Sequence, residues 1–204
     1  MIYQLLTTLS LIGIFVFAVS GALFAAEKRM DILGFILVAA VAGVGGGSLR
    51  DLLLGITPVF WIREPFNITL VILAAVLTYI LLPQIHQRDR WILWMDAMGL
   101  AVFAVLGAEA ALAQQASPLI AIVMGVMTAT FGGLMRDVLC AEVLTLMRPE
   151  LYITCALLGA SVLVGLELIG CPSHLALIIA FMAGFSLRAL AILLRLTLPP
   201  SRPL

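Results

Sequence analysis

Charge is what this 204-residue chain has least of: Asp, Glu, Lys and Arg make up 11% of it, where soluble domains carry about a quarter. Histidines number two, cysteines three, and aromatics are 8%. Each shortage excludes something. Eleven basic residues balance eleven acidic ones, so no basic surplus exists to hold nucleic acid. His86 and His174 stand alone near helix ends, without the spacing of a metal site. Cys140, Cys155 and Cys171 are an odd count in apolar settings and read as buried small hydrophobes, not as a disulfide framework. No Lys or Arg precedes the first apolar run, so the charged start of a cleavable signal peptide is missing and that run is expected to stay as a helix. Gly45-Gly46-Gly47-Ser48 lacks the Gly-Lys-Ser/Thr of a phosphate loop, and no Ser/His/Asp or paired-carboxylate arrangement suggests hydrolysis. Nothing argues for an enzyme, and no cofactor is expected.

Apolar residues fill the space left by charge, at 64% of the chain with a mean hydropathy of +1.23. A helix crosses a hydrocarbon core roughly 30 Å thick with about 20 apolar residues. That ruler predicts seven spans: Leu5–Ala26, Ile32–Leu54, Phe66–Leu82, Trp91–Ala113, Pro118–Ala141, Leu151–Ile169 and Leu175–Leu196. The fold class expected is therefore an all-α integral membrane protein, a single domain, with Pro199-Pro200 ending the last helix. Lys28, Arg29, Arg88, Arg90, Arg148, Arg195 and Arg202 fall on one side and Arg63 alone on the other. The positive-inside rule puts the first side in the cytoplasm, with the amino end outside and the carboxyl end within. Trp61 on one face, and Tyr79, Trp91, Trp94 and Tyr152 on the other, are expected in interfacial belts.

Within the spans lies an internal repeat. A shift of 86 residues (132 − 46) carries Gly46-Gly47 onto Gly132-Gly133 and Arg50-Asp51 onto Arg136-Asp137. The same shift carries Gly13 onto Gly99, Ala18 onto Ala104, Gly21 onto Gly107 and Ala22 onto Ala108, without a gap. The repeats run from about 5 to 82 and 91 to 169, three spans each, with 175–196 as an unpaired seventh helix. An odd number of crossings makes the second unit enter from the other face, giving an inverted pair about an axis in the membrane plane.

Glycine loosens a helix interior, and ionised residues inside a span are rare. Gly45, Gly46, Gly47, Gly132 and Gly133 have two readings. Small residues let helices pack closely; alternatively, broken helices two and five expose carbonyls that replace water around a cation. Two clusters in register, each four residues before an Arg-Asp pair, favour the second. Arg50 and Arg136 are read as structural or snorkelling cations, or as charges beside a polar path, with Asp51 and Asp137 as cation attractors. Consecutive residues point about 100° apart on a helix, so neighbours in sequence need not pair. By depth, Asp96 reaches Arg136 or Arg188, and Glu109 reaches Arg50. Arg188 is a third intramembrane cation expected to face the bundle.

Seven spans in a three-plus-three-plus-one plan, with Gly-Gly-Gly-x-x-Arg-Asp in span two and Gly-Gly-x-x-Arg-Asp in span five, resemble the prokaryotic trimeric intracellular cation (TRIC) channels, also catalogued as small inner-membrane proteins with a duplicated "glycine transporter" domain. The resemblance covers about Leu5 to Leu196. It implies a homotrimer in a bacterial inner membrane among lipids, with a pore in each subunit around kinked helices two and five, passing monovalent cations, chiefly potassium. It places the kinks at Gly45–Gly47, Gly132 and Gly133, with Arg50, Asp51, Arg136 and Asp137 beside the pore. Phe131 stands where the first motif has Gly45, which departs from the pattern. A carrier for a small amino acid such as glycine would also want a midplane cavity of mixed charge, and stands as the alternative.

Overall fold

The computed structural model describes residues 2–85, 88–142, 144–145 and 150–197; His86, Arg148, Pro149, Pro199, Pro200 and Arg202 lie outside them. The described chain is helical: α1 (Ile2–Glu27), α2 (Ile32–Leu53), α3 (Phe60–Arg63), α4 (Phe66–Leu81), α5 (Arg88–Ala113), α6 (Pro118–Leu139), α7 (Ile153–Leu168) and α8 (Ser173–Leu194). Among the described residues six helices are long and apolar enough to cross a membrane, α4 being counted with its 3-10 extension to Gln84. Helix α7 is apolar but spans 16 residues, about 24 Å of rise, and starts at Ile153 instead of Leu151. The short α3 was not expected; it lies between α2 and α4.

Helices α1 and α5, the first of each repeat, pack against each other, as do α2 and α6, the second of each. Phe17 and Phe103, equivalent under the 86-residue shift, stack with ring centroids 5.4 Å apart, so the repeat axis passes between them. Gly13 and Gly99 make room for that stack: a Cβ on Gly13 would lie 3.1 Å from the Phe103 ring and one on Gly99 2.5 Å from that of Phe17. Even the helix ends repeat. Left-handed backbone follows α1 at Arg29 and α5 at Gln115, and follows α2 at Gly55 and α6 at Ala141, each pair 86 residues apart.

Helices α2 and α6 run unbroken through their glycines. The unwound segments expected at Gly45–Gly47 and Gly132–Gly133 are absent, and the reason is packing. A methyl on Gly46 would collide with the Thr128 carbonyl oxygen, and one on Gly132 with that of Ala42. Ala42 and Thr128 are themselves repeat equivalents, so the two helices cross backbone to backbone on the axis. The missing side chains let the helices approach, the packing role of small residues in membranes.

Cys140 and Cys155 are buried as expected; Cys171 is partly exposed. Tyr152 departs from the belt reading, since only 2% of it is exposed.

Candidate functional site

The Arg-Asp pairs are built alike. In each, the arginine Nε and Nη2 donate to Oδ1 of the next aspartate: Arg50 to Asp51 at 2.8 and 2.7 Å, Arg136 to Asp137 at 3.0 and 2.8 Å. The other carboxylate oxygen accepts a backbone N–H from beyond the helix, at 2.8 Å from Phe60 in one repeat and 2.8 Å from Thr145 in the other. Sequence neighbours, which need not pair on a helix, do pair here, because a long arginine folds back across the 100° between them. Each aspartate, at 1% exposure, is the anchor on which the following loop turns, not a free cation attractor.

Two cavities flank the glycine crossing. One, about 290 Å³, opens on the face that carries Lys28, Arg29, Arg88, Arg90 and Arg195, here called the basic face; the other, about 270 Å³, opens on the opposite face. The repeat relates them. Ile92, Leu93, Asp96, Arg136 and Glu150 line the first; Leu6, Thr7, Ser10, Arg50 and Glu64, each 86 positions earlier, line the second. Phe24 and Glu27 of the first correspond in the same way to Ala110 and Ala113 of the second.

The correspondence fails in charge. The basic-face cavity holds Glu27, Asp89, Asp96, Glu142 and Glu150 against Arg136 and Arg188. Glu64 and Glu109 balance Arg50 and Arg63 in the other. Arg136 is 1% exposed and fully engaged: besides Asp137 it donates from Nη1 to Asp96 Oδ1 on α5 at 2.9 Å and to Ser20 Oγ on α1 at 2.8 Å. The Phe24 ring lies 4.1 Å from its guanidinium carbon, within cation–π range. Among the described residues Arg50, with a side chain 12% exposed, bonds to Asp51 alone, over Phe60 at 5.6 Å.

The remaining expected residues divide. Asp96 does reach Arg136. Arg188 is buried, as expected, but pairs with Glu150 at 2.9 Å instead of Asp96 and lies over the Tyr152 ring. Glu109 shares the cavity of Arg50 without a hydrogen bond between them among the described residues. Gly45 faces Met135, Gly47 faces Phe60, and Gly133 lies beside Tyr152, Arg136 and Asp96. Residues not singled out beforehand include Glu27, Asp89, Glu142 and Glu150 at the basic face, and Ser10, Arg63, Glu64 and Asn67 opposite. Glu64 and Glu150 were detectable, since the repeat shift superposes them. At the rim, Lys28 pairs with Glu142, and that hydrogen bond holds the ammonium above its ordinary pKa.

Inverted repeats, paired cavities and charges held inside spans define a membrane transport protein of the inverted-repeat class. The glycine transporter family model matches residues 7–83 and again 93–167. The UPF0126 inner membrane protein YadS of Escherichia coli (strain K12) is 41% identical over 76% of this chain and 75% of its own. A UPF0126 membrane protein of Vibrio cholerae is 40% identical over 96% of this chain and 82% of its own. A TRIC trimeric intracellular cation channel orthologue from Rhodobacter sphaeroides, known from crystal structures, is 49% identical and superposes with a TM-score of 0.92, covering 95% of this chain and all of the other. A second solved TRIC cation channel is 32% identical with a TM-score of 0.89, covering 97% of each chain. The chain belongs to the TRIC family.

Proposed function

We propose that the protein is a monovalent cation channel, with potassium the chief permeant ion and a conduit inside each subunit of a homotrimer. The observation that carries this reading is the pair of repeat-related cavities, one opening on each face, with the crossing of α2 and α6 between them. The basic face is cytoplasmic under the positive-inside rule, in an inner membrane, as in the Escherichia coli relative. Glu27, Asp89, Glu142 and Glu150 draw cations into the cytoplasmic mouth. Arg50, Asp51, Arg136 and Asp137 are pore-adjacent: the guanidiniums line the two mouths, and the aspartates hold them in place. Gly46 and Gly132 form the narrowest point, with Gly45, Gly47 and Gly133 beside it.

The test is purified protein in a planar bilayer under a potassium gradient. Discrete unitary currents reversing near the potassium potential are expected; their absence removes the channel reading. One observation keeps a carrier for a small amino acid in view: two cavities on either side of a closed crossing are also what alternating access requires. Exchange of labelled for unlabelled glycine across proteoliposomes reads that alternative, and silence there removes it.

A further inference from the structure

The two cavities are related by the repeat but lined differently. Shifted by 86 residues, Thr7, Ser10 and Asn67 of the opposite-face cavity fall on Leu93, Asp96 and Ile153, and Glu109 equates with Leu23. Neutral hydrogen-bonding groups and a carboxylate thus stand where the other repeat is mostly aliphatic. These groups are unengaged. Among the described residues Asn67, only 4% exposed, lines the cavity without a side-chain hydrogen bond. A buried amide with unmet hydrogen bonds is costly, and a solute in the cavity that supplies them offsets the cost. Thr7 and Ser10, three residues apart and so on one face of α1, likewise make no side-chain hydrogen bond among the described residues.

Charge completes the pattern. Arg50 gives Nε and Nη2 to Asp51, which leaves Nη1 without a partner among the described residues. Arg136, its counterpart at the basic face, has Nη1 taken by Asp96 and Ser20. Glu109 on α5 is partly buried and makes no ion pair among the described residues, while the exposed Arg63 and Glu64 offset each other at the rim. A lone cation in this cavity meets Arg50, and a lone anion meets Glu109. A molecule carrying both charges satisfies each. The volume of about 270 Å³, just under the roughly 300–1,000 Å³ of ligand pockets, admits only a small one.

We infer that the opposite-face cavity binds a polar α-amino acid as a zwitterion and that the bound molecule obstructs that mouth. The carboxylate meets Arg50, the ammonium meets Glu109, and the side-chain polar group meets Asn67, Thr7 and Ser10. The obstruction rests on the channel reading; the binding does not.

The test is equilibrium binding of labelled L-serine to the purified protein in detergent, with L-alanine, which lacks the third polar group, as the comparison. Saturable binding is expected, with serine roughly tenfold tighter than alanine, the factor corresponding to one hydrogen bond. Asn67→Ile, which copies the other repeat, abolishes the preference for serine over alanine, a change that general loosening of the fold does not produce. Glu109→Gln weakens both ligands by roughly ten- to a hundredfold, as loss of a charge-assisted hydrogen bond requires. Propionate and ethylamine, with one charge each, compete poorly. In a planar bilayer, serine added on the opposite face lowers the potassium current. No saturable binding, competition by propionate or ethylamine as strong as by serine, or a serine preference that survives Asn67→Ile overturns the inference. If Glu109→Gln does not yield folded protein, Asn67→Ile decides alone. A silent bilayer sinks the channel reading separately, because binding is read without current; a conducting parent whose current serine leaves unchanged overturns the inference.

Discussion

At the residue scale, the two arginines of the repeated motif have different jobs although the same glycine pair precedes each and an aspartate follows each. Arg136 satisfies three partners in a site with 1% exposure, whereas Arg50 faces a cavity with one. Removing one member of a buried charge network strands the others. Arg136→Gln, which leaves Asp96 and Asp137 uncompensated, is expected to destabilise by about 3–5 kcal/mol. Arg50→Gln, where water reaches the site, should cost no more than about 2 kcal/mol. Thermal unfolding of the two variants in the same detergent checks the order; equal losses would contradict it. The presence of charge at these positions was legible from their matched spacing. Their partners were not, because an arginine side chain is long enough to reach several helices and Glu150, which takes Arg188, comes from a loop between spans.

At the element scale, α2 and α6 show why a glycine cluster does not by itself announce a break. Each glycine costs a helix roughly 1 kcal/mol relative to alanine, and close contact across the crossing offsets it. Gly46→Ala and Gly132→Ala are each expected to destabilise by about 1–3 kcal/mol through overpacking. Gly165→Ala, on α7 with no atom near the added methyl, should instead stabilise by about 0.5–1 kcal/mol. The contrast in melting temperature separates packing glycines from indifferent ones, and a loss at Gly165 would count against it. Ala141 offers a second test, since it adopts φ 50° where its repeat partner is Gly55. Left-handed backbone costs a residue with a Cβ about 1–2 kcal/mol, so Ala141→Gly should raise stability by up to about 1 kcal/mol in the same assay. The sequence cues for unwinding and for close packing are the same small residues; only the facing helix, an identity absent from local pattern, decides between them.

At the scale of the molecule, span count and inverted repeat follow from hydropathy and the 86-residue shift, because each is set along the chain. The two cavities were hidden, since one assembles from four helices and the other from five, although Ser10, Glu64 and Arg50 against Asp96, Glu150 and Arg136 shows that the repeat already encoded them. The mirror relation makes a path through one protomer natural: two mouths of common origin, one acidic and one balanced, separated by a backbone crossing. The most direct test of that path is single-channel recording of the purified protein in a planar bilayer with potassium on both sides and a gradient between them. The account predicts discrete cation-selective currents that Gly46→Ala and Gly132→Ala reduce. A tight, silent bilayer containing folded protein, or currents carried by anions, would contradict it.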